Sequence, residues 1–224
     1  MNQTIYQQLE RYMLSCMGDS AHDAEHVYRV LYTALEIASA VVSVDHDVLI
    51  AACLLHDVGR PEQLADPLLC HAEVGARKAY RFLLDAGFEE SFAAHVRDCI
   101  LTHRYRKSSP PETIEAKILF VADKLDVVGA VGIARTLMYK GNLTEPLYTK
   151  TPDGKIADGT GESMPSFFQE YKRKLENIYD GFYTCRGKEM ALARREAAVQ
   201  FYENLLGEVR ASYAGKELLE KILK

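Results

Sequence analysis

Apolar residues recur every three or four positions along most of the chain, the spacing of helices that bury one face. Gln3 to Met17 reads as a first amphipathic helix, broken by Gly18, Asp19 and Ser20. A second runs from about Ala24 to Val42, with Val27, Leu31, Ala34, Leu35, Ala38 and Val41 on one stripe. Asp45 or Asp47 starts a third, Val48 to Leu55, which is apolar nearly all round and therefore expected at the centre. Gly59, Arg60 and Pro61 read as its stop, with a loop to Leu69. Helices follow at about Ala72 to Ala86, Phe92 to His103, Glu112 to Leu125, Val127 to Tyr139, Ser166 to Tyr183, Lys188 to Tyr213 and Lys216 to Lys224. Residues 142–165 are polar and rich in glycine and proline, a long loop. No stretch alternates with strand period, so the chain is expected to be all-α.

Composition changes this picture little. The 224 residues are 48% hydrophobic and 26% charged, enough apolar content for a full core without disulfides. Cys16, Cys53, Cys70, Cys99 and Cys185 are odd in number and scattered, and read as reduced thiols. The net charge of -5 disfavours a dedicated nucleic-acid binder, though not a nucleotide substrate. No signal peptide or bilayer-spanning run is visible, so no membrane partner and a cytoplasmic location are expected.

The chemistry concentrates where polar residues interrupt apolar runs. His56-Asp57 closes the most apolar helix, where a carboxylate is costly unless it is paired or metal-bound. His26 lies on the preceding helix, and Asp123 closes the run Ile118 to Ala122. Imidazole with carboxylate suits Mn, Fe, Ni, Co or Zn; Mg accepts the carboxylates but favours imidazole less. His71 precedes one helix and His103 ends another. With them the set becomes six, and Asp57 as a bridge could hold two metals. His22, His46 and His95 read as non-ligands.

These residues resemble the HD-domain superfamily of metal-dependent phosphohydrolases. The order His26, His56-Asp57, Asp123 matches its H … HD … D pattern. The stretch His22 to Val30 is similar to its H-D-x-x-H-x-x-R-V opening, and Leu54 to Glu62 to its L-L-H-D-I-G-R stretch. Ala122 to Arg135 resembles the D-A-D-[KR]-L-D-A-x-G-A-x-G-I-x-R segment of a YedJ-like branch, with Val121 where that branch often has a second Asp. His71 to Ala76 and Ile100 to Arg104 resemble segments of two-metal members.

The resemblance implies a single HD domain over 1–224: a helical bundle with a metal-binding core at about 20–140, the loop 142–165 and additional C-terminal helices at 166–224. It implies hydrolysis of a nucleotide or another small phosphorylated metabolite by a metal-activated water. His26, His56, Asp57, Asp123, His71 and His103 would hold one or two divalent ions. Asp57, Lys124 and Arg60 are the catalytic candidates, with Arg60 expected beyond the helix end. Lys124 either reaches the phosphate or snorkels to water. Arg29, Arg104 and Arg106 are the substrate-binding candidates, and Arg29 either binds phosphate or pairs with a carboxylate. Asp126 shares a helix face with Asp123, placed to orient a ligand histidine, while Asp23 reads as supporting His26 or as a helix-start carboxylate. A di-iron oxygenase on the same scaffold and a non-catalytic HD sensor are the competing readings. A homo-oligomer is a further expectation.

Overall fold

The computed structural model describes residues 1–17, 24–104 and 110–223. His22, Asp23 and Arg106 lie outside them. Among the described residues there are eleven α-helices, one short 3-10 helix and no β-strand. Among the described residues no helix is long and apolar enough to cross a membrane. The five cysteines are free thiols.

The chain forms two compact units. The first comprises Met1–Asp126 and Phe182–Lys188. It contains α1 (Gln3–Cys16), α2 (Ala24–Ala38), α3 (His46–Leu55), α4 (Arg60–Ala65), α5 (His71–Asp85), α6 (Glu90–Thr102) and α7 (Ile114–Leu125). Helix α3 is buried on nearly every side, as its unbroken apolar run requires, and packs against α1, α2, α6 and α7. Asp45 caps it, accepting from the Asp47 and Val48 amides at 3.0 and 3.1 Å. Thr113 caps α7 through the Ala116 amide at 3.2 Å.

Three differences from the sequence expectation are the largest. Helix α2 stops at Ala38, not Val42. The next amides bond three residues back, Ala40 to Ile37 and Val41 to Ala38, and Ser43 turns left-handed at φ 62°. The expected loop after Gly59 holds α4, with Pro61 in its first turn, where a missing N–H costs nothing. Arg60 therefore opens a helix instead of lying free beyond one.

The third difference falls in the second unit, Val127–Gly181 and Glu189–Lys224. The expected helix from Ser166 to Tyr183 is instead α9 (Phe167–Arg173) followed by the 3-10 turn Leu175–Asn177. The helix ends at Lys174, at φ -124° and ψ -60°, and the Asn177 side-chain amide donates to the Lys172 carbonyl at 2.9 Å. This unit also contains α8 (Gly129–Asn142) and α11 (Gly215–Ile222); α10 (Cys185–Ser212) contributes its residues from Glu189 onward. Its core gathers Ile133, Phe167, Phe168, Tyr171, Leu175, Ala198 and Tyr202. Tyr171 and Tyr202 stack at 4.0 Å, so these aromatics serve packing. Residues 142–165 are held in place: Lys150 and Ile156 form an antiparallel bridge, Gly154 turns at φ 81°, and Ile156 is buried in the core cluster.

Candidate metal centre

Six side chains of the first unit converge. His26 comes from α2, His56 and Asp57 from the end of α3, His71 from the start of α5, His103 from the end of α6, and Asp123 from the last turn of α7. All are buried except Asp123, whose side chain is 29% exposed and marks the side open to solvent. They form two groups of three, His26 with His56 and Asp123, and Asp57 with His71 and His103, each compact enough to hold a metal ion.

Asp57 joins the groups. Its Oδ2 lies 3.5 Å from His26 Nε2 and 3.7 Å from His56 Nε2. Its Oδ1 lies 3.7 Å from both His71 Nε2 and His103 Nε2. Asp123 Oδ1 is 3.4 Å from His26 Nε2. Most of these separations exceed a good hydrogen bond, and all suit donor atoms arranged round a shared cation.

The Nδ1 atoms fix the protons. His56 Nδ1 donates to the Cys53 carbonyl at 2.7 Å, and His103 Nδ1 to the Ile100 carbonyl at 2.6 Å. A carbonyl can only accept, so both rings carry Nδ1–H, which in the neutral imidazole leaves Nε2 bare. His26 Nδ1 donates to Asp126 Oδ2 at 2.7 Å. Arg29 holds that carboxylate through Nε at 2.8 Å and Nη2 at 3.0 Å. His71 Nδ1 donates to Gln63 Oε1 at 2.7 Å. All four Nε2 lone pairs thus face inward.

Such an arrangement fits a cation. His26 Nε2 and His56 Nε2 face each other at 3.3 Å, lone pair against lone pair. Asp57 Oδ2 is buried and without a hydrogen-bond partner. Burial lowers the His56 pKa to about 4 and, with the Arg60 charge, the His71 pKa to about 2, so neither supplies a proton at neutral pH. Burial alone would raise Asp57; the Arg60 charge beside it opposes this, and the carboxyl lies well below the usual range. The residues fit a divalent ion on these grounds.

Packing explains how His71 reaches the cluster. A Cβ on Gly59 would lie 2.4 Å from the His71 carbonyl oxygen and 2.5 Å from the Gly75 nitrogen. Only glycine there lets α5 close on the His56-Asp57 turn. The sequence reading did not single out this contact.

The basic candidates are placed differently from one another. Arg60 Nε donates to Asp57 Oδ1 at 3.1 Å and Nη1 to Gln63 Oε1 at 3.2 Å, with the side chain 24% exposed. Of the two alternatives for Arg29, the structure shows the carboxylate pair, with Asp126. Lys124 Nζ stands 4.6 Å over the Phe182 ring and 5.8 Å over that of Phe120. Arg104 is exposed and approaches Cys70 Sγ at 4.0 Å. His95 pairs with buried Glu115 at 3.2 Å, and His46 opens α3; neither belongs to the two groups.

Residues 23–128 match the family model of the HD domain. YpgQ of Bacillus subtilis is 28% identical over 205 residues, covering 89% of this chain and 91% of YpgQ. The crystal structure of YpgQ in complex with ADP superposes with a TM-score of 0.70 at 26% identity, covering 91% of this chain and 97% of that one. A predicted HD-superfamily hydrolase from an uncultured Thermotogales bacterium gives a TM-score of 0.59 at 29% identity, covering 92% of each chain.

Proposed function

We propose that this chain, whose residues 23–128 match the family model of the HD domain, is a metal-dependent phosphohydrolase acting on a nucleotide or another small phosphorylated metabolite. The observation that carries this reading is the inward convergence of four bare Nε2 atoms and two carboxylates, with one oxygen of Asp57 turned to each group. His26, His56, Asp57 and Asp123 would hold one divalent ion. Asp57, His71 and His103 would hold a second, or meet water and phosphate. Mn, Fe, Ni, Co or Zn suits this mixed donor set better than Mg. Such an ion, when bound, supplies an acidified water and polarises a phosphoryl oxygen.

The chain's own residues orient and neutralise. Asp126, itself held by Arg29, and the Cys53 and Ile100 carbonyls keep three imidazoles turned inward. Arg60 sets a fixed, partly exposed cation beside Asp57, and we assign it to the transferring phosphate. Lys124, one residue from Asp123 on a flexible stem, is assigned the same task. Arg104 is assigned to the substrate at the rim. The crystallisation of YpgQ with ADP supports a nucleotide as the first substrate class to try. The Ala122 to Arg135 segment supports a YedJ-like branch.

The test is a panel of nucleoside mono-, di- and triphosphates and simple phosphate esters, each with Mn, Co, Ni or Mg and with chelator. Turnover that needs the metal and is lost in Asp57→Asn is expected. Arg60→Ala and Lys124→Ala should lower kcat/KM with metal content unchanged. If both keep full kcat/KM, their assignment is wrong. No turnover with any metal, together with oxygen uptake by iron-loaded protein, would replace the hydrolase with an oxygenase.

A further inference from the structure

Gln63 lies on α4, where the sequence showed only a stop signal and a loop. Its side-chain oxygen accepts two hydrogen bonds, from His71 Nδ1 at 2.7 Å and from Arg60 Nη1 at 3.2 Å. Its side-chain nitrogen donates to the Leu69 carbonyl at 3.0 Å. That third bond fixes which way the amide points, because of its two polar atoms only the nitrogen can donate to a carbonyl. The oxygen is therefore committed to the side facing His71 and Arg60.

We propose that Gln63 is a positioning residue of the metal centre, holding His71 with Nε2 bare and tying the Arg60 guanidinium to the same amide. The inference rests on the metal-centre reading and deepens it. Each of the other three imidazoles takes its acceptor either from the backbone or from a carboxylate, Cys53, Ile100 or Asp126. His71 alone among the four uses a neutral side chain, so its orientation depends on one replaceable group. Without that acceptor the ring gains nothing by keeping its proton on Nδ1. A proton moved to Nε2 would point at Asp57 Oδ1, 3.7 Å away, and would close the donor position.

The same amide gives Arg60 its second contact. Arg60 Nε rests on Asp57 Oδ1, and Nη1 rests on Gln63. Loss of Gln63 therefore frees one edge of the guanidinium as well as the imidazole. The two effects separate by substitution. Gln63→Leu removes both hydrogen-bonding functions. Gln63→Glu keeps the acceptor for His71 and Arg60 but cannot donate to Leu69.

The experiment is long-range 1H–15N correlation of the histidine rings in metal-free protein, followed by Mn titration of the wild type and both variants. In the wild type, His71 should show Nδ1–H and bare Nε2. Gln63→Leu should shift His71 toward Nε2–H and weaken Mn binding that depends on His71 by about 10- to 100-fold, the usual effect of removing a ligand's orienting partner. Gln63→Glu should restore the Nδ1–H form and most of the binding. The His26 and His56 signals report in the same spectra that the variants are folded. An unchanged His71 tautomer in Gln63→Leu overturns the proposal, as does a Gln63→Glu variant indistinguishable from Gln63→Leu in both readouts. The spectra need no metal, so failure of the wild type to bind Mn would refute the metal reading while leaving the positioning role to be judged on the tautomer.

Discussion

Replacing Asp126 by Asn tests whether the groups behind the imidazoles control the centre. Asp126 is 5% exposed, and its carboxylate takes 2.7, 2.8 and 3.0 Å bonds from His26 Nδ1, Arg29 Nε and Arg29 Nη2. An amide has one accepting oxygen and one donating nitrogen, so either orientation sets a donor against a donor. Facing His26, the nitrogen forces the ring to move its proton to Nε2, toward His56. In that place it also opposes Arg29 Nη2; in the Oδ1 place it opposes Arg29 Nε alone. Loss of a ligand's orienting carboxylate should cost 10- to 100-fold in metal affinity, about 1.4 to 2.7 kcal/mol. The effect on stability is separate. Charge-assisted bonds contribute about 1.5 to 3 kcal/mol each, but the Arg29 side chain is 40% exposed, and its share is discounted toward that of a surface pair. A fall of about 1 to 3 kcal/mol in metal-free protein is expected. Mn titration calorimetry gives the first quantity and urea unfolding of chelated protein the second. Binding within twofold of wild type in a folded Asp126→Asn protein would refute the role given to Asp126.

Two further outcomes follow from burial and packing. The His56 and His71 pKa values are depressed in the fold, so their contribution to stability is whole above the unfolded value near 6.5 and is lost as pH falls. Metal-free protein should lose up to about 2 kcal/mol per imidazole between pH 6.5 and 5; a urea-unfolding free energy that stays level over that range would show the rings are not held neutral. Gly59→Ala forces a methyl to within 2.4 Å of the His71 carbonyl oxygen and 2.5 Å of the Gly75 nitrogen, a backbone clash that should cost about 1 to 3 kcal/mol or more and displace α5. A variant with wild-type thermal stability would contradict that account of the close approach.

The sequence carried the helices and the six converging side chains for the same reason: in each case a strong apolar pattern sets off what interrupts it. Helix α3 shows this best, since seven of its residues are buried and the polar pair His56-Asp57 follows directly. What escaped the pattern lacks such contrast. Helix α4 has six residues and buries none among them, so no periodicity reveals it, and Pro61 suits both a stop and a first turn. Gln63 gains its role only because Gly59 and Gly75 let α5 close over the turn, a long-range contact between two residues without side chains. Two of the four imidazole acceptors are backbone carbonyls, at Cys53 and Ile100, which no side-chain pattern can disclose. The break after α9 falls at Lys174, at φ -124° and ψ -60°, where no change of pattern marks it.

The two three-donor groups, with Asp57 reaching from one to the other, are read as one metal centre. The direct measurement is anomalous scattering at the manganese edge from crystals grown with Mn. The account predicts a peak among His26 Nε2, His56 Nε2, Asp57 and Asp123, with a second among Asp57, His71 and His103 if both groups are filled. A well-ordered structure without an anomalous peak at either group, at Mn concentrations far above any physiological level, would contradict it.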